Sequence, residues 1–184
     1  ERGKMGGDCL NTGCVPSKAL LASARRAHAV AGAGHFGVKM QRAKVEFLDA
    51  HARVHDVIRA IAPNDSRARF EALGVKVIAG TARFRDARTV VIGDQYEIAA
   101  RRFVIATGSS PALPDIPGLA ETPHLTNETV FDLTQCPRHL IVIGGGPIGL
   151  ELAQAHRRLG ADVTVLEAAK PLAKDDPECA AIVL

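Results

Sequence analysis

The sequence has no apolar run approaching the roughly 18 residues that cross a bilayer, and its opening "ERGKMGG" lacks the apolar centre of a signal peptide. Neither a membrane span nor secretion is indicated, and a cytoplasmic setting is the expectation. Charge of one sign is also lacking. The chain carries 23 Lys+Arg against 20 Asp+Glu, with the basic residues scattered rather than stacked on one face. Nucleic acid and an anionic membrane are therefore not implied as partners. Cysteine is scarce, four in 184 residues, which excludes a disulfide scaffold. Internal repeats and low-complexity tracts are absent. What remains, with 47% hydrophobic content, is a soluble globular chain long enough for one large domain or two small ones.

Turn chemistry and periodicity divide it. Residues 15 to 31 read as a helix, with Pro16 in the first turn and apolar positions three and four apart; glycines at 32, 34 and 37 end it. A second helix runs from about Val45 to Arg59, and a helical turn over 66–72 follows the break at Pro63. The period then shortens. "VKVIAGTARF" (75–84), "TVVIG" (89–93) and "YEIAARRFVIAT" (96–107) predict a small antiparallel meander that returns to a buried strand at "FVIAT". Proline, glycine and serine then crowd residues 108–129. The expected organisation is a first domain over 1–110, a linker over 111–136 and a second domain over 137–184.

The second domain opens with "HLIVIGGGPIGLELAQAHRRLGADVTVLEAA" (139–169), a strand, glycine turn, helix and strand. Leu140 to Ile143 is continuously apolar, as for a parallel strand buried on both faces. Gly144, Gly146 and Gly149 supply G-x-G-x-x-G: a tight turn, close backbone approach to a pyrophosphate, and close packing of helix on strand. The helix N-terminus offers free N–H groups and a positive dipole end to phosphates. Glu167 ends the second strand roughly 20 residues on, where a carboxylate hydrogen-bonds ribose hydroxyls. It disfavours a 2′-phosphate, and only Lys170 follows in place of the arginines that NADP calls for, so NAD is the expected dinucleotide.

Cys9 and Cys14 stand five positions apart in "GGDCLNTGCVPSK". A metal clip would need two more soft ligands, and the seven histidines make no cluster beside the pair. His51 and His55 have helical i, i+4 spacing, but no acid follows in the pattern, and no metal site is assigned. A redox couple fits better. Four intervening residues can form one distorted helical turn that brings the sulfurs together, with Cys14 at a helix N-terminus where the dipole stabilises a thiolate. Cys136 and Cys179 read as ordinary thiols.

At these residues "GGDCLNTGCVPSKALL" resembles the redox signature of the flavin-dependent pyridine-nucleotide disulfide oxidoreductases, the family of dihydrolipoamide dehydrogenase, glutathione reductase and mercuric reductase. "GTARF", "FVIATGSSP.LP.IPG" and "VIGGGPIGLELAQ" follow in the family's order, so the resemblance covers almost the whole chain. It implies an α/β fold of two Rossmann-like domains, FAD-binding and NAD(P)-binding, both incomplete, with a small antiparallel β-meander. It implies FAD and NAD as cofactors, NADP being the less favoured. Cys9 would meet the substrate disulfide, and Cys14 would be the thiolate that stacks on the flavin. Lys18 would approach the flavin ring, with Glu151, in the first turn of the nucleotide-binding helix, facing it. Ala82 would contact the adenine end of FAD, and Thr107 and Gly108 would pack against FAD.

The same resemblance places a further G-x-G-x-x-G unit before Glu1, and after Leu184 a dimerisation domain with a His-Glu acid/base pair. The chain is accordingly expected to be a fragment, colourless and inactive alone, of a yellow homodimer. Thr12 departs from the family's usual small apolar residue. "CLNTGC.PSKALL" leans toward dihydrolipoamide dehydrogenase and a small-molecule dithiol or disulfide substrate, whereas "IAPNDS...F..LGV" and "LTNETVFDL" resemble mercuric-reductase-like members, whose substrate is Hg(II). A reading of a different class is a non-catalytic dinucleotide-binding module in which Cys9 and Cys14 are only structural.

Overall fold

Alanine- and leucine-rich sequence after a glycine break, with proline tolerated in the first turn, builds the longest helix of the molecule. In the computed structural model, which describes residues 1–39 and 44–184, this helix is preceded by one short turn of helix. The short turn is α1 (Gly7–Asn11) and the long helix α2 (Cys14–Gly32). Then come α3 (Phe47–Ile61) and α4 (Arg67–Ala72), the latter N-capped by Ser66 Oγ, which accepts from Arg69 N at 3.2 Å. Three strands follow, β1 (Ala82–Asp86), β2 (Thr89–Ile92) and β3 (Tyr96–Ala99), in an antiparallel sheet of that order. After an irregular stretch, β4 (His139–Ile143), α5 (Pro147–Leu159) and β5 (Asp162–Leu166) form a βαβ unit, and α6 (Pro177–Val183) ends the chain. β4 and β5 pair in parallel, from His139 opposite Asp162 to Ile143 opposite Leu166. The fold is mixed α/β and Rossmann-like, with the small antiparallel sheet beside it.

The core lies where α2 packs between α3 and α5. Leu20 and Ala24 of α2, Val54 of α3, and Ala155 and Leu159 of α5 are buried there, closed by Val130 and Phe131 from a 3₁₀ turn. Alanines at 24 and 155 are fully buried and let the helix backbones approach closely. The segment bearing the cysteines and the segment bearing the glycine turn thus share one apolar seam.

Two expectations need correction. The meander is shorter than its apolar sequence suggests, because residues 75–81 and 100–107 belong to no strand. Among the described residues, the lateral bonds at 78–80 reach Glu1, whose ammonium donates to Ile78 O at 3.2 Å and whose carbonyl accepts from Gly80 N at 2.9 Å. "FVIAT" is not buried: Val104 is 92% and Ile105 73% exposed, and no described strand runs beside them. A strand forms only where a neighbour takes its hydrogen bonds. Phe103 alone finds a partner, its ring edge-to-face on Phe84 with centroids 5.0 Å apart. Likewise β4 is covered on one face only. α5 lies over Leu140 and Val142, while Ile141 and Ile143 face away and stay about half exposed. Continuous apolar sequence here reflects two faces, of which the described chain covers one.

Candidate functional site

Cys9 sits in α1 and Cys14 is the first residue of α2, so the sulfurs are carried by two helical pieces joined by a sharp reversal at Thr12–Gly13. Gly13 makes that reversal possible: a Cβ there would lie 2.9 Å from Asp8 O and 3.3 Å from Cys9 Cα, closer than side chains are tolerated. The Asp8 carbonyl accepts from Thr12 N at 2.9 Å, and Gly13 O accepts from Ser17 N at 3.1 Å. Asn11 Nδ2 donates to Gly7 O at 2.9 Å and Met5 O at 3.1 Å, and buried Leu10 anchors the short helix. From the far side Asn127 Nδ2 donates to Thr12 O at 3.4 Å.

The two cysteines are free thiols, both exposed. Hydrogen bonding with the Cys14 sulfur is the first cause that raises the Cys9 thiol above its ordinary value, with burial next. Neighbouring thiols are placed to lose two protons and two electrons together as a disulfide.

Asp8 was not marked by sequence reasoning. Its carboxylate reaches across 101 residues to accept from Ser109 N at 3.2 Å, and a Cβ on Gly108 (φ +71°) would lie 3.1 Å from Asp8 Oδ2. The turn at Thr107–Gly108–Ser109 is thereby held against the helix that carries Cys9. The available signal was an acid immediately before a cysteine at a helix start, in "GGDC". Ala82, at the head of β1, pairs with Ile92 and has no described hydrogen bond to the cysteines or the glycine turn.

The glycine turn is dense in contacts. Gly144 (φ +115°) donates to Leu166 O at 2.8 Å, and a Cβ on Gly149 would lie 2.1 Å from Gly144 O and 3.3 Å from Val142 Cγ1. Only glycine at 149 lets α5 begin so close to β4. Side chains added at Gly144 and Gly146 would instead meet open space, and Gly146 caps α5 ahead of Pro147. Glu167 is engaged with the turn itself. Its Oε1 accepts from Ala169 N at 2.9 Å and its Oε2 from Gly145 N at 2.7 Å, and these two bonds hold its carboxyl below the usual range.

Lys18 and Glu151, 133 residues apart, form an ion pair in which Lys18 Nζ donates to both carboxylate oxygens, to Oε1 at 2.6 Å. α5 begins at Pro147, so Glu151 stands at the start of the second turn and not in the first. The pair is substantially exposed, at 60% and 40%, which limits its contribution to stability to about 0–1 kcal/mol. Its structural content is positional: it joins the start of the cysteine helix to the start of the dinucleotide helix. Among the described residues no group of three or more metal-ligating side chains occurs, and no helix is long and apolar enough to cross a membrane.

Comparison with known proteins is consistent with this arrangement. The model of the pyridine nucleotide-disulphide oxidoreductase family matches residues 3–184. The chain is 36% identical over 189 residues to the mercuric reductase of Streptomyces lividans, covering 98% of the chain and 39% of that protein. It is 35% identical to the mercuric reductase of Lysinibacillus sphaericus, covering 97% of the chain and 33% of the relative. Among solved structures, the Cu(II) complex of the HOCl-induced flavoprotein disulfide reductase RclA from Escherichia coli superposes with a TM-score of 0.80 at 28% identity. That match covers the whole chain and 39% of RclA. The chain thus spans well under half the length of the proteins it resembles.

Proposed function

The chain belongs to the pyridine nucleotide-disulphide oxidoreductase family, and on that premise we propose that it carries the redox cysteines and the first βαβ unit of the NAD(P)-binding domain of an FAD-dependent dithiol/disulfide oxidoreductase. The observation that carries this reading is the Cys9–Cys14 pair, two neighbouring exposed thiols with Cys14 at the start of a helix that is tied to the glycine turn's helix through Lys18 and Glu151.

The residues present fit the two cofactors. Gly144 and Gly146 leave open space where side chains would stand, and the bare N-terminus of α5 faces it, as a dinucleotide pyrophosphate requires. On the FAD side, Lys18 would approach the flavin ring, Thr107 and Gly108 would pack against FAD, and Ala82 would contact its adenine end. Bound FAD would supply two-electron exchange between a nicotinamide and the cysteines. The chain's own part is to keep Cys9 and Cys14 adjacent, so that closing their S–S bond releases two electrons and two protons and opening it takes them back. In the proposed roles Cys9 meets the substrate and Cys14 faces the flavin. Lys18 places a cation beside it, with Glu151 fixing where that ammonium sits. Glu167, kept anionic by its two backbone bonds, opposes a 2′-phosphate and favours NADH over NADPH.

For the substrate, the relatives named mercuric reductase favour Hg(II) over dihydrolipoamide. Two exposed, adjacent thiols are a soft-ligand pair, which suits a soft cation. In the full-length protein, which the resemblance makes a homodimer, NADH-dependent reduction of Hg(II) and of lipoamide is to be measured side by side. Turnover with Hg(II), lost in both Cys9→Ser and Cys14→Ser, is the expected result. Turnover with lipoamide alone would restore the dihydrolipoamide dehydrogenase reading. A colourless full-length protein without turnover would favour the binding module.

A further inference from the structure

His156 is fully buried in α5, and among the described residues its Nε2 has no hydrogen-bond partner. Its Nδ1 lies 2.8 Å from the Leu152 carbonyl, which can only accept, so Nδ1 carries the proton and Nε2 is a bare acceptor when the ring is neutral. His156 lines a small cavity of about 10 Å³, walled also by Leu20 of α2, Phe47 and Val54 of α3, and Phe131. The one other polar side chain in its wall is His51 of α3. The volume is about that needed for one water, and an acceptor nitrogen and a second imidazole supply the two polar partners a buried water needs.

We propose that this cavity is an internal water site through which His51 of α3 and His156 of α5 are bridged, and that protonating the pair opens the seam between the cysteine-bearing helices and the dinucleotide helix. The water donates to His156 Nε2, satisfying an acceptor that is costly to bury without a partner. Proton uptake at His156 turns Nε2 from acceptor to donor, so the bridge loses its polarity match and a cation is left among Leu20, Phe47 and Val54.

The surrounding charges do little to compensate. The His51 and His55 rings lie with centroids 4.4 Å apart and planes tilted by 55°, like charges if both are protonated. Asp132 is the facing acid, but its Oδ1 lies 4.0 Å from His55 Nε2, which also donates to Phe131 O at 3.2 Å, so it serves His55 first. α2 contributes only Leu20 to the wall, and α5 no second ionisable group. Burial lowers both rings, His156 against a smaller opposing effect of the Leu152 bond and His51 with His55 adding to burial. A lowered folded value means that the unfolded or opened state binds more protons as pH falls through the ordinary histidine range. The seam is therefore intact above about pH 6.5 and loosens below it.

Hydrogen exchange of α3 and α5 peptides in the full-length protein, corrected for intrinsic rates, reads the opening directly. Between pH 7.5 and 5.5 the opening equilibrium is expected to rise about tenfold for each proton taken up per pH unit, and His156→Leu should flatten that rise. An equal rise in His156→Leu, or none in the unaltered protein, would overturn the proposal. Should the variant fail to fold, imidazole nitrogen spectra of the ¹⁵N-histidine-labelled, unaltered protein decide it. A neutral ring protonated at Nδ1 at pH 7.5 that charges only below pH 6.5 supports the site; an imidazolium or the opposite tautomer at pH 7.5 rejects it.

Discussion

The glycine turn and the cysteine loop are both sharp reversals at the start of a helix, yet they are held in different ways. The glycine turn closes on itself. The contacts that shape it, Gly144 to Leu166, Gly149 against Gly144 O, Glu167 to Gly145 and Leu172 N to Gly145 O, come from the βαβ unit and the few residues that follow it. The cysteine loop depends on distant chain. Asp8 binds Ser109 and Asn127 binds Thr12, over separations of 101 and 115 residues. A self-contained motif forms whenever its own strands pair, whereas a motif tied by long-range contacts holds its geometry only as the whole seam holds.

The largest expected effect breaks the self-contained half. Gly149→Val puts atoms 2.1 Å from Gly144 O, where backbone cannot yield, and should abolish dinucleotide binding in the full-length protein and cost about 3 kcal/mol or more. Nucleotide titration and thermal unfolding check this. Cysteine reactivity toward a thiol reagent in the native state should not change. Next comes Gly13→Ala, where the clash with Asp8 O is 2.9 Å and the neighbour is again backbone. A cost of about 1–3 kcal/mol is expected, with slower closure of the Cys9–Cys14 disulfide and unaltered nucleotide affinity. If Gly13→Ala weakened nucleotide binding as much as disulfide closure, the two motifs would not be separable in this way.

The same contrast explains what the sequence made legible. The βαβ unit could be read residue by residue, because its glycines and its terminal acid act on one another within about thirty positions. α2 and α3 were equally legible from their spacing, to within two residues at each end. The exposure of "FVIAT" and of one face of β4 was not, because apolar sequence reports a capacity for burial and not which neighbour provides it. Asp8 escaped notice for the same reason: its partner is a backbone N–H 101 residues away, with no periodicity to announce it. The engagement of Glu167 with Gly145 was hidden by a motif role that directs attention to the ligand rather than to the turn.

A smaller effect sharpens the cysteine half. The Cys14 sulfur is the first cause that raises the Cys9 thiol above its ordinary value, so replacing it should let Cys9 ionise at lower pH. In Cys14→Ala the pH midpoint for alkylation of Cys9 should fall to the ordinary thiol range, about 8.5, from above it in the reduced parent. Mass mapping of brief iodoacetamide labelling across a pH series measures both midpoints. An unchanged midpoint would mean that the Cys14 sulfur does not raise the Cys9 thiol.

The smallest effect concerns the link between the halves. Glu151→Gln removes the charge facing Lys18 while keeping the volume and one acceptor, and an exposed pair of this kind contributes only about 0–1 kcal/mol. The buried seam of Leu20, Ala24, Ala155 and Leu159 should hold α2 to α5 without it, so the melting temperature should move by no more than a few degrees. Dinucleotide affinity should also survive, because the glycine turn is shaped within its own unit. What should change is the position of Lys18, freed from its partner and read as faster carbamylation of that lysine by mass spectrometry. A Glu151→Gln protein that lost several kcal/mol would show that the ion pair holds the seam together. It would also place the long-range dependence of the cysteine loop in this contact rather than in Asp8 and Asn127.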